Sequence, residues 1–317
     1  MSASTLSRLT ILVRRELWES PFAFKWTPLL IAGLNLLVIT LLLIIGAKVD
    51  NQMAFTLDGI RMFAQMPDEQ QRLLATGTMF STGSLFHLVL LIVVIFYLAG
   101  CLYDDRRDRS ILFWKSLPVS DTLIVASKVL TATIAAPLLY LLAIALTQLA
   151  LLLIASGYGL AAGINIFTEI WAPANLPTIW LVTLYAAMVQ SLWLLPIFGW
   201  LILCSAFAPR LPILIAIIVP ALIGLFQHFW SFFTDFRMPD FNLMLIVLQR
   251  LGRGVVPMNI ELDQIEGSNM ANFGAESLIS FKSVSAILLS LEMWIGVAIG
   301  LAFLAAAIWF RRRATDA

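Results

Sequence analysis

Six apolar runs, near 27–47, 83–103, 129–155, 178–207, 211–230 and 285–310, dominate this 317-residue chain. Each is long enough to cross the ~30 Å hydrocarbon core of a bilayer, which takes about 20 residues of helix. A backbone in lipid has no water to bond to, so it must close its own hydrogen bonds, and a helix does so. The predicted fold class is therefore an all-α membrane protein: one transmembrane domain over 1–317 with six transmembrane helices. Charged residues make up 12% of the chain, about half the share usual in globular domains. Mean hydropathy is +0.93.

Orientation follows from where the basic residues fall. With the N-terminus inside, 13 of the 20 Lys and Arg lie on the cytoplasmic side and 7 outside. The short external loop near 156–177 has neither. Both termini are expected in the cytoplasm. Cys101 and Cys204 then sit at cytoplasmic ends of apolar runs, where a disulfide is not expected; both read as small hydrophobes. The N-terminus lacks the short apolar core and cleavage site of a secretory signal.

Ahead of the first run, Leu6, Leu9, Val13 and Leu17 share one helical face, while Arg8, Arg15 and Glu19 lie away from it. With Trp18 and Trp26 nearby, this predicts an amphipathic interfacial helix on the cytoplasmic surface. Pro21 and Pro28 argue against one helix continuous with the first span. The external loop at 231–284 is the largest and contains an apolar stretch, Phe241–Leu251, too short to span and expected to be re-entrant or interfacial. No internal repeat is visible, which speaks against many secondary-transporter folds.

Several chemistries are missing from the sequence. There is no Gly-Lys pair, hence no GxxxxGK[ST] phosphate loop. HExxH and GxSxG are also absent. His87 and His228 lack nearby acidic partners in sequence, and Met53, Met62, Met66 and Met79 are too irregularly spaced to favour a copper site. No catalytic, cofactor or metal residues are assigned, and near-neutral net charge gives no reason to expect nucleic acid. Glu292 is the acidic residue inside the sixth run and so a candidate functional carboxylate. Asn35, His87, Gln148 and Gln190 are expected to bond to neighbouring helices. Pro196 and Pro220 are expected to kink theirs.

Between the second and third runs stands YDDRRDRSILFWKSLPVSDTLIVASK, Tyr103–Lys128, with three Asp, three Arg and a Lys before its Pro. If Asp104–Leu117 is helical, Asp105 and Arg109 stand four apart and Asp104 and Arg107 three apart. Phe113, Trp114 and Leu117 gather on one side, Pro118 ends the helix, and Ser120 or Asp121 caps the next. Aromatic anchors flanked by arginines suit a protein interface. An anchor whose Trp and Phe touch headgroups explains the same residues, and both readings stay open at this level.

The stretch RRDRSILFWKSLPVSDTLIVASK resembles the first cytoplasmic loop of type-2 ATP-binding-cassette (ABC) transporter permeases. RRELWESP at Arg14–Pro21 resembles the amphipathic lead-in of that family. LWLLPIFGWLILCSAFAPRLP at Leu192–Pro212 resembles its fourth span and following hairpin. The third and sixth spans and the large external loop match only in general character. The resemblance implies a permease of the bacterial cytoplasmic membrane, acting in export rather than import. It implies a second permease subunit, identical or not, and a separate cytoplasmic ABC ATPase that holds the ATP and Mg. The coupling element would be Arg106–Leu117, with Arg106, Arg107, Asp108, Arg109, Phe113, Trp114, Leu117 and Pro118 as its residues. Two rival classes are an ion-coupled secondary transporter titrating Glu292 and a non-transporting scaffold for a cytoplasmic protein.

Overall fold

Prolines decide how the spans are built. The computed structural model describes residues 5–49, 53–108, 119–233, 242–255 and 281–314. Among these the chain is helical, with six helical stretches long and apolar enough to cross a membrane. In order they are α1 (Thr5–Glu19), α2 (Thr27–Val49), α3 (Met53–Ala64), α4 (Asp68–Gly100), α5 (Tyr103–Arg107), α6 (Asp121–Leu130), α7 (Ala136–Ala162), α8 (Leu176–Trp193), α9 (Leu195–Phe207), α10 (Pro212–Phe233), α11 (Leu243–Val255), α12 (Phe281–Leu288) and α13 (Leu291–Arg313).

Three π-helical turns interrupt this order, at Phe22–Trp26, Thr131–Ala135 and Phe167–Trp171. Each ends two residues before a proline: Pro28, Pro137 and Pro173. Proline has no N–H for the carbonyl four residues back, and its ring crowds that carbonyl. The residue before each proline bonds five back instead: Thr27 to Phe22, Ala136 to Thr131 and Ala172 to Phe167. Carbonyls in the widened turns then accept from neighbouring spans. The Tyr140 hydroxyl donates to the Ala23 carbonyl at 3.0 Å. The Ser191 hydroxyl donates to the Thr133 carbonyl at 2.9 Å. This is how proline is tolerated where no water reaches.

The spans are longer than expected on the far side from the charged block. Helix α4 has 33 residues, about 50 Å against a ~30 Å core. Its outer turns pack with α7, the Phe167–Trp171 turn and α8 around Met79, Leu152, Ile170 and Ile179. Gln148 ties three spans there: its Nε2 donates to the Met79 carbonyl at 2.9 Å, and its Oε1 accepts from Trp180 Nε1 at 2.7 Å.

Two spans differ from the expectation. The fourth is two helices, α8 and α9, meeting at Leu194. Pro196 supplies no N–H to the Leu192 carbonyl, so the ladder breaks beside it. Pro220, by contrast, lies inside the unbroken α10. The sixth begins at Leu291 rather than near 285: Ser290 caps α13, its hydroxyl accepting from the Met293 N–H, and 281–288 form a separate helix. Helix α9 packs tightly on α13, where a Cβ on Gly199 would lie 2.6 Å from the Gly300 carbonyl oxygen. Between α9 and α10 the chain reverses over four residues, with Leu211 at φ 47°.

Helix α11 enters the bundle. Its Gly254 lies against Leu194 at the break in the fourth span; a Cβ there would sit 2.7 Å from a Leu194 methyl. Gly254 also borders the same small cavity as Leu91, Val94 and Ala132, halfway along the second and third spans. The apolar stretch in the large loop is thus a helix penetrating between spans.

Candidate functional site

The charged block leaves the second span at Gly100, where an added Cβ would stand 2.8 Å from Asp104 Oδ2. Helix α5 follows at once and is fastened to the end of α9. The Ser205 hydroxyl oxygen accepts from the backbone N–H groups of Leu102 and Tyr103 at 2.9 and 3.0 Å. Arg106 Nη2 donates to the carbonyls of Ser205 and Ala208 at 2.9 and 2.7 Å. Arg106 therefore points inward and fixes the block to the hairpin after the fourth span. Arg107 and Asp108 are exposed and pair with each other at 3.4 Å. Helix α5 ends at Arg107. Arg109, Phe113, Trp114, Leu117 and Pro118 lie outside the described residues. On the far side, Ser120 is the N-cap of α6, its hydroxyl accepting from the Leu123 N–H.

Both feet of the block end in buried charge. Asp105 turns inward and meets Arg311 Nη1 at 3.1 Å and Lys128 Nζ at 3.7 Å. Lys128 Nζ donates to both carboxylate oxygens of Glu16 at 3.2 Å. Glu16 also accepts from the Tyr97 hydroxyl at 2.7 Å. Asp121, first residue of α6, lies 3.2 Å from Arg311 Nε. Glu16, Lys128 and Arg311 are each 3% exposed and Asp105 8%. Charges this deep are tolerated only when paired, because the desolvation cost of each ion is several kcal/mol. The network joins five helices: α1, α4 at Tyr97, α5, α6 and the last turn of α13. It also brings the N-terminal helix, the charged block and the C-terminal end of the last span to one end of the bundle, as six crossings require.

Sequence reasoning missed this network. Glu16 falls on the buried stripe of α1 with Leu12, while Leu6, assigned to that stripe, is 74% exposed. Leu9, Val13 and Leu17 are half-buried, Leu17 against the main core, so the buried face keeps three of the four expected residues and extends to Leu12 and Glu16, where Glu16 pairs with Lys128 of α6. An acid three and four residues beyond Val13 and Leu12 was the available signal.

At the other end, Arg250 of α11 is buried against Trp193. Its Nε donates to the Trp193 carbonyl at 2.8 Å, its Nη2 to the Glu292 carbonyl at 3.2 Å, and its guanidinium lies 4.3 Å from the Trp193 ring centre. A Cβ on Gly296 would collide with the guanidinium. The Gln190 amide donates to the Gly254 carbonyl at 2.7 Å. Glu292 itself sits in the first turn of α13, half exposed, 3.7 Å from Arg253. Asn35 and His87 bond back along their own helices, to the Ile31 and Gly83 carbonyls four residues earlier. His228 is exposed. Among the described residues no group of three His, Cys, Asp or Glu is placed to hold a metal. Cys101 and Cys204 are buried free thiols.

No protein-family model, curated protein or solved structure matches this chain.

Proposed function

We propose that this chain is the membrane-spanning permease subunit of an ATP-driven exporter of the ABC type in the bacterial cytoplasmic membrane. A separate cytoplasmic ATPase, with its ATP and Mg, docks on the charged block. A second permease subunit completes the pathway. The observation that carries this reading is the pair of anchored feet. Asp105 at the start of the block and Asp121 and Lys128 at its end are held by ion pairs to α1 and α13, those of Asp105 and Lys128 buried. A push on the block then moves the second, third and sixth spans and the N-terminal helix together, since breaking any one buried pair costs about 3–5 kcal/mol. Arg107 and Asp108 stand on the surface available to a partner, while Arg106 holds the block in place. The aromatic contact is assigned to Phe113, Trp114 and Leu117.

An ion-coupled mechanism needs a titrating carboxylate in the transport path. The helix dipole and Arg253 already account for Glu292 in its half-exposed first turn.

The test is the double substitution Phe113→Ala with Trp114→Ala. The expected result is normal membrane insertion with loss of the co-purifying ATPase and of transport-stimulated ATP hydrolysis. Co-purification and transport that both survive would refute the docking assignment.

A further inference from the structure

Helix α1 is apolar on two sides. On its inner side Leu12 packs on Ile124 of α6. On its outer side Ile11, Arg14 and Trp18 share one helical face, and all three are exposed. The turn into the first span continues this stripe with Phe22, Lys25 and Trp26, also exposed. Trp18 and Phe22 are 70% and 77% exposed. The stripe stands at the entry of a membrane span and runs on into the exposed Leu29 and Leu30 of α2. Lipid, not water, therefore covers it.

The polar groups on the stripe say which lipid. Arg14 lies over the Trp18 ring at 4.6 Å, and Lys25 over the Trp26 ring at 5.4 Å. Neither cation has a carboxylate partner among the described residues. The acids of α1 are taken, Glu19 by Arg15 at 2.6 Å and Glu16 by Lys128 on the inner side. The stripe thus keeps two uncompensated positive charges. The indoles agree with this. Trp171, Trp180, Trp193, Trp200 and Trp294 donate their Nε1–H to protein acceptors. Those of Trp18 and Trp26 meet no acceptor among the described residues. Each cation stands beside a free N–H donor where the chain enters the membrane, a pair matched to the phosphate and ester oxygens of a headgroup.

We propose that the outer face of α1 and the turn after it bind anionic phospholipid from the leaflet on the side of the charged block. One headgroup sits at Arg14 and Trp18 and another at Lys25 and Trp26, with acyl chains along Phe22 and the leucines of α2. A zwitterionic headgroup carries the same phosphate but offsets it with its own cation, so it gains less from the two charges. The bound lipid bears on the buried network, because Glu16 reaches Lys128 from the other side of the same helix. This holds whether or not the block meets an ATPase.

The test uses the full-length protein at one copy per nanodisc, without nucleotide. The discs are phosphatidylcholine with a minor share of phosphatidylglycerol or phosphatidylcholine brominated close to the headgroup, and tryptophan quenching reports contact. A basic residue at an anionic surface favours it about fivefold. Brominated phosphatidylglycerol is therefore expected to quench at a several-fold lower mole fraction. Arg14→Gln combined with Lys25→Gln should remove most of that preference and leave quenching by brominated phosphatidylcholine unchanged. Trp18→Phe combined with Trp26→Phe should remove the same component, which locates it. Equal quenching by the two lipids, or a preference that survives the Gln substitutions, would overturn the proposal. Quenching unaltered by the Phe substitutions would mean that lipid does not reach the stripe, and would overturn it as well. No ATPase is present, so failure here leaves the docking reading intact.

Discussion

The two ends of the bundle are held by opposite means. At the end with the charged block, Glu16, Lys128, Asp105 and Arg311 are buried and joined carboxylate to cation across separate helices. At the other end, the ion pair of Arg253 on α11 with Glu292 on α13 is more than half exposed. There the buried cation Arg250 is gripped by carbonyl oxygens and a Trp ring. Ion pairs in a dry site fix partners one to one, and each loses heavily if its partner leaves. Carbonyl and ring contacts around an inserted helix have near-equivalent alternatives. The first end is locked helix to helix by charge, and the second is held by contacts to backbone and ring.

The sharpest way to break the comparison is Lys128→Met. It leaves Glu16 with only Arg15 at 4.0 Å and Asp105 with one cation fewer, and should cost about 3–5 kcal/mol of stability, read by thermal or denaturant unfolding in detergent. Adding Glu16→Gln should recover a substantial part of that loss. No recovery would mean that the two residues do not form a pair. Next in size is Arg250→Lys, which keeps the charge but loses the planar fork and the ring stacking. A loss of about 1.5–3 kcal/mol is expected from the hydrogen bonds of a charged donor. Proteolysis of the large loop at 231–284 should increase along with it, because α11 is then less firmly held. Gly300→Ala places a methyl 2.7 Å from the Leu195 carbonyl carbon, and overpacking of that kind costs about 1–3 kcal/mol. The smallest effect belongs to Glu292→Gln. An exposed pair contributes about 0–1 kcal/mol, so stability should hardly change and transport should persist. Transport abolished by this one substitution would favour an ion-coupled mechanism.

The six spans were legible because apolar runs of spanning length have few other solutions. Ser120 as a cap and Gln148 as a bond between helices were legible for similar reasons, one being local and the other a costly polar group in an apolar run. The pairs that organise the charged end were not. Glu16 and Lys128 are 112 positions apart, and Arg311 and Asp105 are 206 apart. A single sequence carries no sign of which distant charges meet. Glu16 on the buried side of α1 was missed for the same reason, since hydrophobic periodicity turns every acid toward water. Asn35 and His87 show the opposite failure: a carbonyl one turn back satisfied them before any neighbour did. The break at Leu194 had its signal in Pro196, yet where α11 would insert could be read only from Gly254 packed on Leu194 in the fold.

The central claim is that the charged block and the end of the last span move as one body through the buried pairs. Hydrogen–deuterium exchange of the membrane-embedded complex, with and without ATP on the partner ATPase, tests it directly. The account predicts that protection changes together in residues 120–124, which cap the third span, and in residues 307–313, which end the sixth. A change confined to the block and its flanks, with 307–313 unaffected, would contradict it.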